Sequence, residues 1–181
     1  MLRLFFDFEF DPVLDTPISF GMVGGTDASI SFYREFKAPA AGYKSEFVYD
    51  TVLPLLTKDP SERTSPGILG GEITQFILDL CEANNTRPAD VILTCDSIED
   101  VQYLEQFSGA VFKVECISFT SFDEENMYSD MYASEFDPIT FPRHNALNDA
   151  VAMKNAFEAL ATQRSLNPPQ KRHSPSFRLA A

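Results

Sequence analysis

The sequence predicts an α/β fold: three antiparallel strands at the N-terminus, then βα units that extend them into a mixed sheet with helices on its faces. Two observations carry this. Residues 2–36 hold three apolar and aromatic runs of strand length, separated by short turn signals. Beyond residue 65 the apolar positions switch to helical spacing, interrupted by short apolar runs that fit buried strands. A length of 181 residues suits one ordinary domain, and 17 Phe with no Trp predict a Phe-rich core.

The elements follow in order. Residues 2–9 (LRLFFDFE) are a dense apolar run with β character. A turn-rich DPVLDTP stretch leads to a second run over 18–23. Gly24-Gly25-Thr26-Asp27 then reads as a hairpin turn into the alternating ISFYREF of 30–36. Residues 46–56 read as one short helix stopped near Pro54. From 66 to 84, Leu69, Ile73, Phe76, Ile77 and Leu80 share a helical face, and Ser65-Pro66 is a good helix start. ADVILTC (89–95) is a continuous apolar run, as in a strand covered on both faces. A helix over 98–107 sets Val101, Leu104 and Phe107 on one side, and 111–117 alternates as a strand. Residues 119–142 read as irregular, acidic and rich in Phe, Tyr and Met. A last amphipathic helix runs from a cap at or beside Asn145 to about residue 161. This makes 1–163 the domain and 164–181 a basic, Pro-containing tail expected to be disordered.

Charge narrows the function classes. The chain carries 27 acids and 14 Lys and Arg, a net of −13. The imbalance is greater within 1–163, at −17, because the tail holds four bases and no acid. Between Lys113 and Arg143 there are seven acids and no base. Such a chain should not coat duplex nucleic acid by charge alone, since neutralising phosphates needs Lys and Arg. Either the acids are a solvated, solubilising surface, or some of them hold divalent cations that reverse the local sign. Cys81, Cys95 and Cys116 are widely spaced within apolar stretches and form no zinc pattern, so all three read as reduced core thiols. Carboxylates at Asp7 and Glu9 come too early for a signal peptide, and no apolar run nears the roughly 18 residues of a membrane span. A cytoplasmic chain with no membrane partner is the expectation. No P-loop, GxGxxG fingerprint or GxSxG elbow is present.

Three groups of residues could carry chemistry. Asp7 and Glu9 sit at i and i+2 in the first strand, so both carboxylates project from one face. Every other residue from Leu4 to Phe10 is apolar, which argues against a solvated edge. Burying two like charges there costs several kcal/mol unless a cation compensates. The second group is Arg143-His144-Asn145-Ala146-Leu147-Asn148-Asp149. It places His144 in a loop and Asp149 in the first turns of the last helix, where the helix dipole also favours an acid. The third is Cys95-Asp96-Ser97-Ile98-Glu99-Asp100, at the sheet edge that favours active sites, although Ser97-x-x-Asp100 also reads as a capping box.

Together these residues resemble the DEDDh 3′→5′ exonucleases of the ribonuclease-H-like superfamily. Phe6-Asp7-Phe8-Glu9-Phe10 followed by Ile18-Ser19-Phe20-Gly21, and His144-Asn145-Ala146-Leu147-Asn148-Asp149-Ala150, are most similar to the small RNase T-related exoribonucleases of bacteria and phages. The resemblance covers about residues 1–162 in element order, with two specific end motifs and a loose middle one. It implies a ribonuclease-H-like mixed sheet of five strands. It also implies two Mg²⁺ or Mn²⁺ ions on Asp7, Glu9, Asp100 and Asp149, with Asp96 the alternative to Asp100. Hard cations take such oxygen ligands, and a pair of them clamps an in-line phosphoryl displacement. His144 would be the general base, suited by an ordinary pKa near 6.5. The implied substrate is the 3′ end of single-stranded or short nucleic acid, RNA rather than DNA, released as nucleoside 5′-monophosphates. Phe8, Phe10 and Phe20 lie near enough to stack on bases, or else pack in the core. Relatives are often homodimers. A deoxyribonuclease, a ribonuclease H-type endonuclease and a non-catalytic binding relative are the rival readings.

Overall fold

Six strands form one sheet in the order β4-β3-β2-β1-β5-β6. The computed structural model describes residues 1–25, 28–108 and 112–166. β1 (Leu2–Asp11) lies inside the sheet, paired antiparallel with β2 (Thr16–Gly24), which in turn pairs antiparallel with β3 (Ile30–Phe36). On its other side β5 (Val91–Cys95) and then β6 (Lys113–Cys116) run parallel. The expected mixed sheet, three antiparallel strands followed by parallel ones, is therefore present. It has one strand more than the pattern showed: β4 (Arg63–Thr64), a two-residue edge parallel to the end of β3.

Alternation along β1 sorts its side chains onto two layers. Leu4, Phe6 and Phe8, with Phe20, Met22 and Phe32, meet Leu69, Ile73 and Ile77 of α1 (Pro66–Ala83) and Leu104 of α2 (Ile98–Ser108). This is the Phe-rich core, with Phe8 and Phe20 at 4.6 Å between ring centroids. On the opposite face, Phe5 and Val23 meet Tyr128 of α3 (Phe122–Ser134) and Ala150, Met153, Ala156 and Leu160 of α4 (Ala146–Leu166). Asp7 and Glu9 continue the face of Phe5 and so belong to the α4 side.

The approach of α4 to the sheet depends on one glycine. Gly21 pairs with Asp7 in the β1–β2 ladder. A Cβ at Gly21 would stand 2.4 Å from the Ala146 carbonyl and from the Leu147 nitrogen. Only a residue without a side chain lets the first turn of α4 lie on β2 backbone to backbone.

Four expectations need correction. Residues 122–134 are helical rather than irregular: Ser121 Oγ accepts the Glu124 N–H at 3.2 Å, while Glu124 Oε2 accepts from the Thr120 N–H at 2.5 Å, a reciprocal cap. Residues 48–55 are not one regular helix but a π turn over Val48–Val52 and a 3₁₀ turn over Leu53–Leu55, where Pro54 has no N–H to offer. α4 continues to Leu166, so the start of the expected tail is helical. Cys116 is exposed, and only Cys81 and Cys95 are buried thiols. The turn residues 26–27, Val111 and residues 167–181 lie outside the described residues.

Candidate metal centre

β1 is longer than its parallel partner, and this opens a crevice. The β1–β5 ladder runs from Leu2↔Val91 to Phe5↔Thr94, and β5 stops at Cys95, whereas β1 continues to Asp11. Beyond Phe5 the β5 side of β1 has no strand beside it, at the strand ends where open α/β sheets carry their sites. Asp100, in the first turn of α2, fills part of the gap: its Oδ1 accepts the Phe8 N–H at 3.1 Å. Ser97 does cap α2, its Oγ accepting from the amides of Glu99 at 3.1 Å and Asp100 at 3.4 Å. A full capping box would turn the Asp100 carboxylate back to Ser97, but it faces β1 instead.

The other wall is the start of α4. Asn145 Oδ1 accepts from the Leu147 and Asn148 amides at 3.1 and 3.2 Å, the cap expected from sequence. Before it, His144 adopts a left-handed backbone with φ of 68°. Asp149 faces the crevice, with Oδ2 accepting the His144 N–H at 3.0 Å and Oδ1 accepting the Tyr132 hydroxyl at 3.2 Å. Asp11 holds a third segment in place. Its buried carboxylate takes the amides of Val13 (2.8 Å), Leu14 (3.3 Å), Lys44 (2.5 Å) and Ser45 (3.2 Å), tying residues 44–48 to the end of β1. That tether brings the half-exposed Phe47 edge-on to His144, with ring centroids 4.9 Å apart.

Two ligand-bearing groups result, joined through β1. One atom each from Asp7, Asp96 and Asp100 lies within 4.8 Å of the other two, and the same holds for Glu9, His144 and Asp149. Asp7 Oδ2 is buried with no hydrogen-bond partner among the described residues. Burial, then the neighbouring carboxylates, raise Asp7 well above the ordinary Asp range. Glu9 is pushed up to about 9, by burial first and then by its hydrogen bond with Asp149. Asp100 is pushed up to about 8 by burial and by Asp96, against the Phe8 amide that favours its charge. Burial lowers His144, partly opposed by Asp149. Without a counter-charge, the cluster keeps protons near neutral pH.

The structure thus brings together Asp7, Glu9, Asp100, His144 and Asp149, and it adds Asp96, whose Oδ2 accepts the Tyr128 hydroxyl at 3.3 Å. It does not bring Phe8 or Phe20 to a surface. Both are core residues, 3% and 0% exposed, and neither offers a face to a base. Phe10 is half-buried against Tyr103, with centroids 5.5 Å apart. Sequence reasoning missed Tyr128 and Tyr132, one helical turn apart on α3, and also Phe47. The Ser121-x-x-Glu124 spacing would have disclosed α3 and with it the tyrosine pair.

The donor set fits hard divalent cations. Five carboxylates and one imidazole converge, no thiolate belongs to either group, and the unpartnered Asp7 oxygen is the kind of atom a cation satisfies. No helix among the described residues is long and apolar enough to cross a membrane.

No protein-family model matches the chain, and no curated protein matches it. Among solved structures it is similar to the exonuclease domain of Mopeia virus, in a form described as fully depleted of manganese. The identity is 11% and the TM-score 0.47, over 87% of this chain and 76% of that one.

Proposed function

We propose that the chain is a divalent-metal-dependent 3′→5′ exonuclease that removes nucleoside 5′-monophosphates from single-stranded or short RNA 3′ ends. The observation that carries the nuclease reading is the pair of carboxylate groups flanking one strand, with an orphaned buried oxygen on Asp7 and an imidazole on the rim. The 3′→5′ direction and the preference for RNA rest on the resemblance of the two end motifs to RNase T-related enzymes.

Asp7, Asp96 and Asp100 would hold one cation, and Glu9 and Asp149 a second. Bound there, such ions polarise a phosphoryl oxygen and make bound water more acidic. The remaining work belongs to the chain. His144, kept neutral by partial burial, accepts the proton of the attacking water. The Tyr132 hydroxyl and the His144 amide fix both oxygens of Asp149, so its orientation is set before substrate arrives. Phe47 presents an exposed aromatic face beside the imidazole, the kind of surface on which an unpaired base stacks.

The test is digestion of 3′-labelled and 5′-labelled single-stranded RNA, beside matched DNA, in Mg²⁺, Mn²⁺ or EDTA, with Asp7→Ala and His144→Ala. The expected result is a metal-dependent ladder shortening from the 3′ end and lost in both variants. Internal fragments would indicate an endonuclease, faster loss of DNA a deoxyribonuclease, and no cleavage of either a non-catalytic relative.

A further inference from the structure

A site this acidic repels the strand it is meant to bind, and two metal ions offset only the charge in its centre. Between Lys113 and Lys154 the sequence has one Arg or Lys, Arg143, directly before His144. Its side chain is exposed, and its guanidinium lies over the Tyr132 ring at 5.6 Å from the centroid. Tyr132 is the residue whose hydroxyl reaches Asp149, so the stacked cation sits on the rim of the centre. Among the described residues Arg143 makes no ion pair, as Lys37, Lys44, Lys58 and Arg63 also do not, but it alone of these lies beside His144. It also borders a cleft of about 370 Å³ whose lining includes Asp50, Pro54, Leu55, Phe136 and Pro142.

We propose that Arg143 binds the non-bridging oxygens of a phosphodiester flanking the scissile one, an inference that rests on the nuclease reading above. A guanidinium offers a planar fork of donors that matches two phosphate oxygens, which a lysine does not. Stacking on Tyr132 presets that plane, so little rotamer freedom is lost when the strand arrives. Placed beside His144, the contact fixes where the strand lies relative to the proton acceptor.

The test measures binding as well as cleavage. A 5′-fluorescent single-stranded RNA is titrated in Mg²⁺ by anisotropy against His144→Ala, which stalls turnover, and against the same protein carrying Arg143→Met or Arg143→Lys. Arg143→Met should weaken binding roughly tenfold at low salt and make the slope of log affinity against log salt shallower by about 0.7, the loss of one single-strand phosphate contact. Arg143→Lys should restore the slope but not the full affinity. A neutral methylphosphonate placed at successive linkages 5′ of the terminal one should weaken the Arg143 protein at one position and leave Arg143→Met unaffected there. Equal salt slopes, with neutral linkages costing both proteins alike, would overturn the inference while leaving the nuclease reading intact. If the unsubstituted chain neither cleaves nor binds RNA or DNA, both fall together.

Discussion

The Phe8 amide donates to Asp100 Oδ1 across 3.1 Å, at the point where β1 has run past the end of its parallel neighbour. A backbone donor that would otherwise be buried unpaired is satisfied by a carboxylate that also faces Asp7. The same contact supports the sheet and aims the ligand.

The two uses separate by mutation. Asp100→Asn keeps an acceptor for the Phe8 amide and removes the ionisable carboxylate that would hold a cation. It should unfold in EDTA at or above the temperature of the unsubstituted chain, yet lose most of the thermal shift induced by Mn²⁺ and cleave at least about a hundredfold more slowly. Asp100→Ala should fall about 1–3 kcal/mol below Asp100→Asn, because the amide is left without a partner. Chemical denaturation of both variants with and without metal checks this.

Stability should depend on pH in a direction set by the cluster. Glu9 and Asp100 move up to about 9 and about 8 in the folded chain, from ordinary values near 4. The folded state therefore binds more protons than the unfolded state between these values, and stability falls as pH rises through that window. In EDTA the melting temperature should drop from pH 5 to pH 9. Added Mg²⁺ or Mn²⁺ should restore more stability at pH 8 than at pH 5, because at pH 5 the cation must displace protons. A metal increment that is flat or larger at pH 5 would contradict the assignment.

The rate should have an acidic limb that belongs to His144. Burial holds this imidazole below its ordinary 6.5, so the neutral form persists to lower pH than for a solvent-exposed histidine. Under saturating metal, kcat should rise with pH to a plateau reached by about pH 7, with the midpoint of the limb below 6.5. Phe47→Ala removes the ring packed edge-on to His144. It should raise KM for single strands several-fold and move the limb toward higher pH, as the imidazole becomes better solvated. Stopped-time assays across pH 5–9 resolve both effects.

Glycines give a third contrast. Gly21→Ala forces a Cβ to 2.4 Å from backbone atoms of α4, which cannot yield as a flexible side chain would. A cost of about 1–3 kcal/mol is expected, with a rate loss near a hundredfold, since small misplacements of catalytic groups are costly. Gly67 and Gly71, on the exposed side of α1, have nothing within 4 Å of an added Cβ. Alanine at each should stabilise by about 0.5–1 kcal/mol through helix propensity and leave the rate unchanged.

What the sequence disclosed follows from how strongly each element is patterned. β1, β2 and β3 carry dense apolar patterns because each is buried along most of its length, and α1 carries helical periodicity because one stripe of it, Leu69, Ile73, Ile77 and Cys81, is buried. The carboxylates were legible because Asp7 and Glu9 interrupt a run with no other polar residue on its way to Phe10. α3 was hidden because it packs on α4 through Tyr128, Met131 and Tyr132 while Phe122 and Met127 are exposed, so its apolar residues mark no single face. β4 is two residues long and has no pattern to read. The stacking role expected of Phe8 and Phe20 failed on the alternation of the strand itself. If Asp7 and Glu9 face α4, the even-numbered phenylalanines must face α1 and α2.

Because Ala146 rests on Gly21, His144 and Asp149, which flank it closely in sequence, are carried by the same short piece of backbone. Any substitution that tips the first turn of α4 moves the proton acceptor and the cation ligand along one shared coordinate. Their positions thus shift together. Adaptation of this centre is therefore channelled into groups hung on independent supports, such as Phe47 on the 44–48 segment and Asp96 beyond β5, while the glycine remains the fixed bearing on which the rest turns.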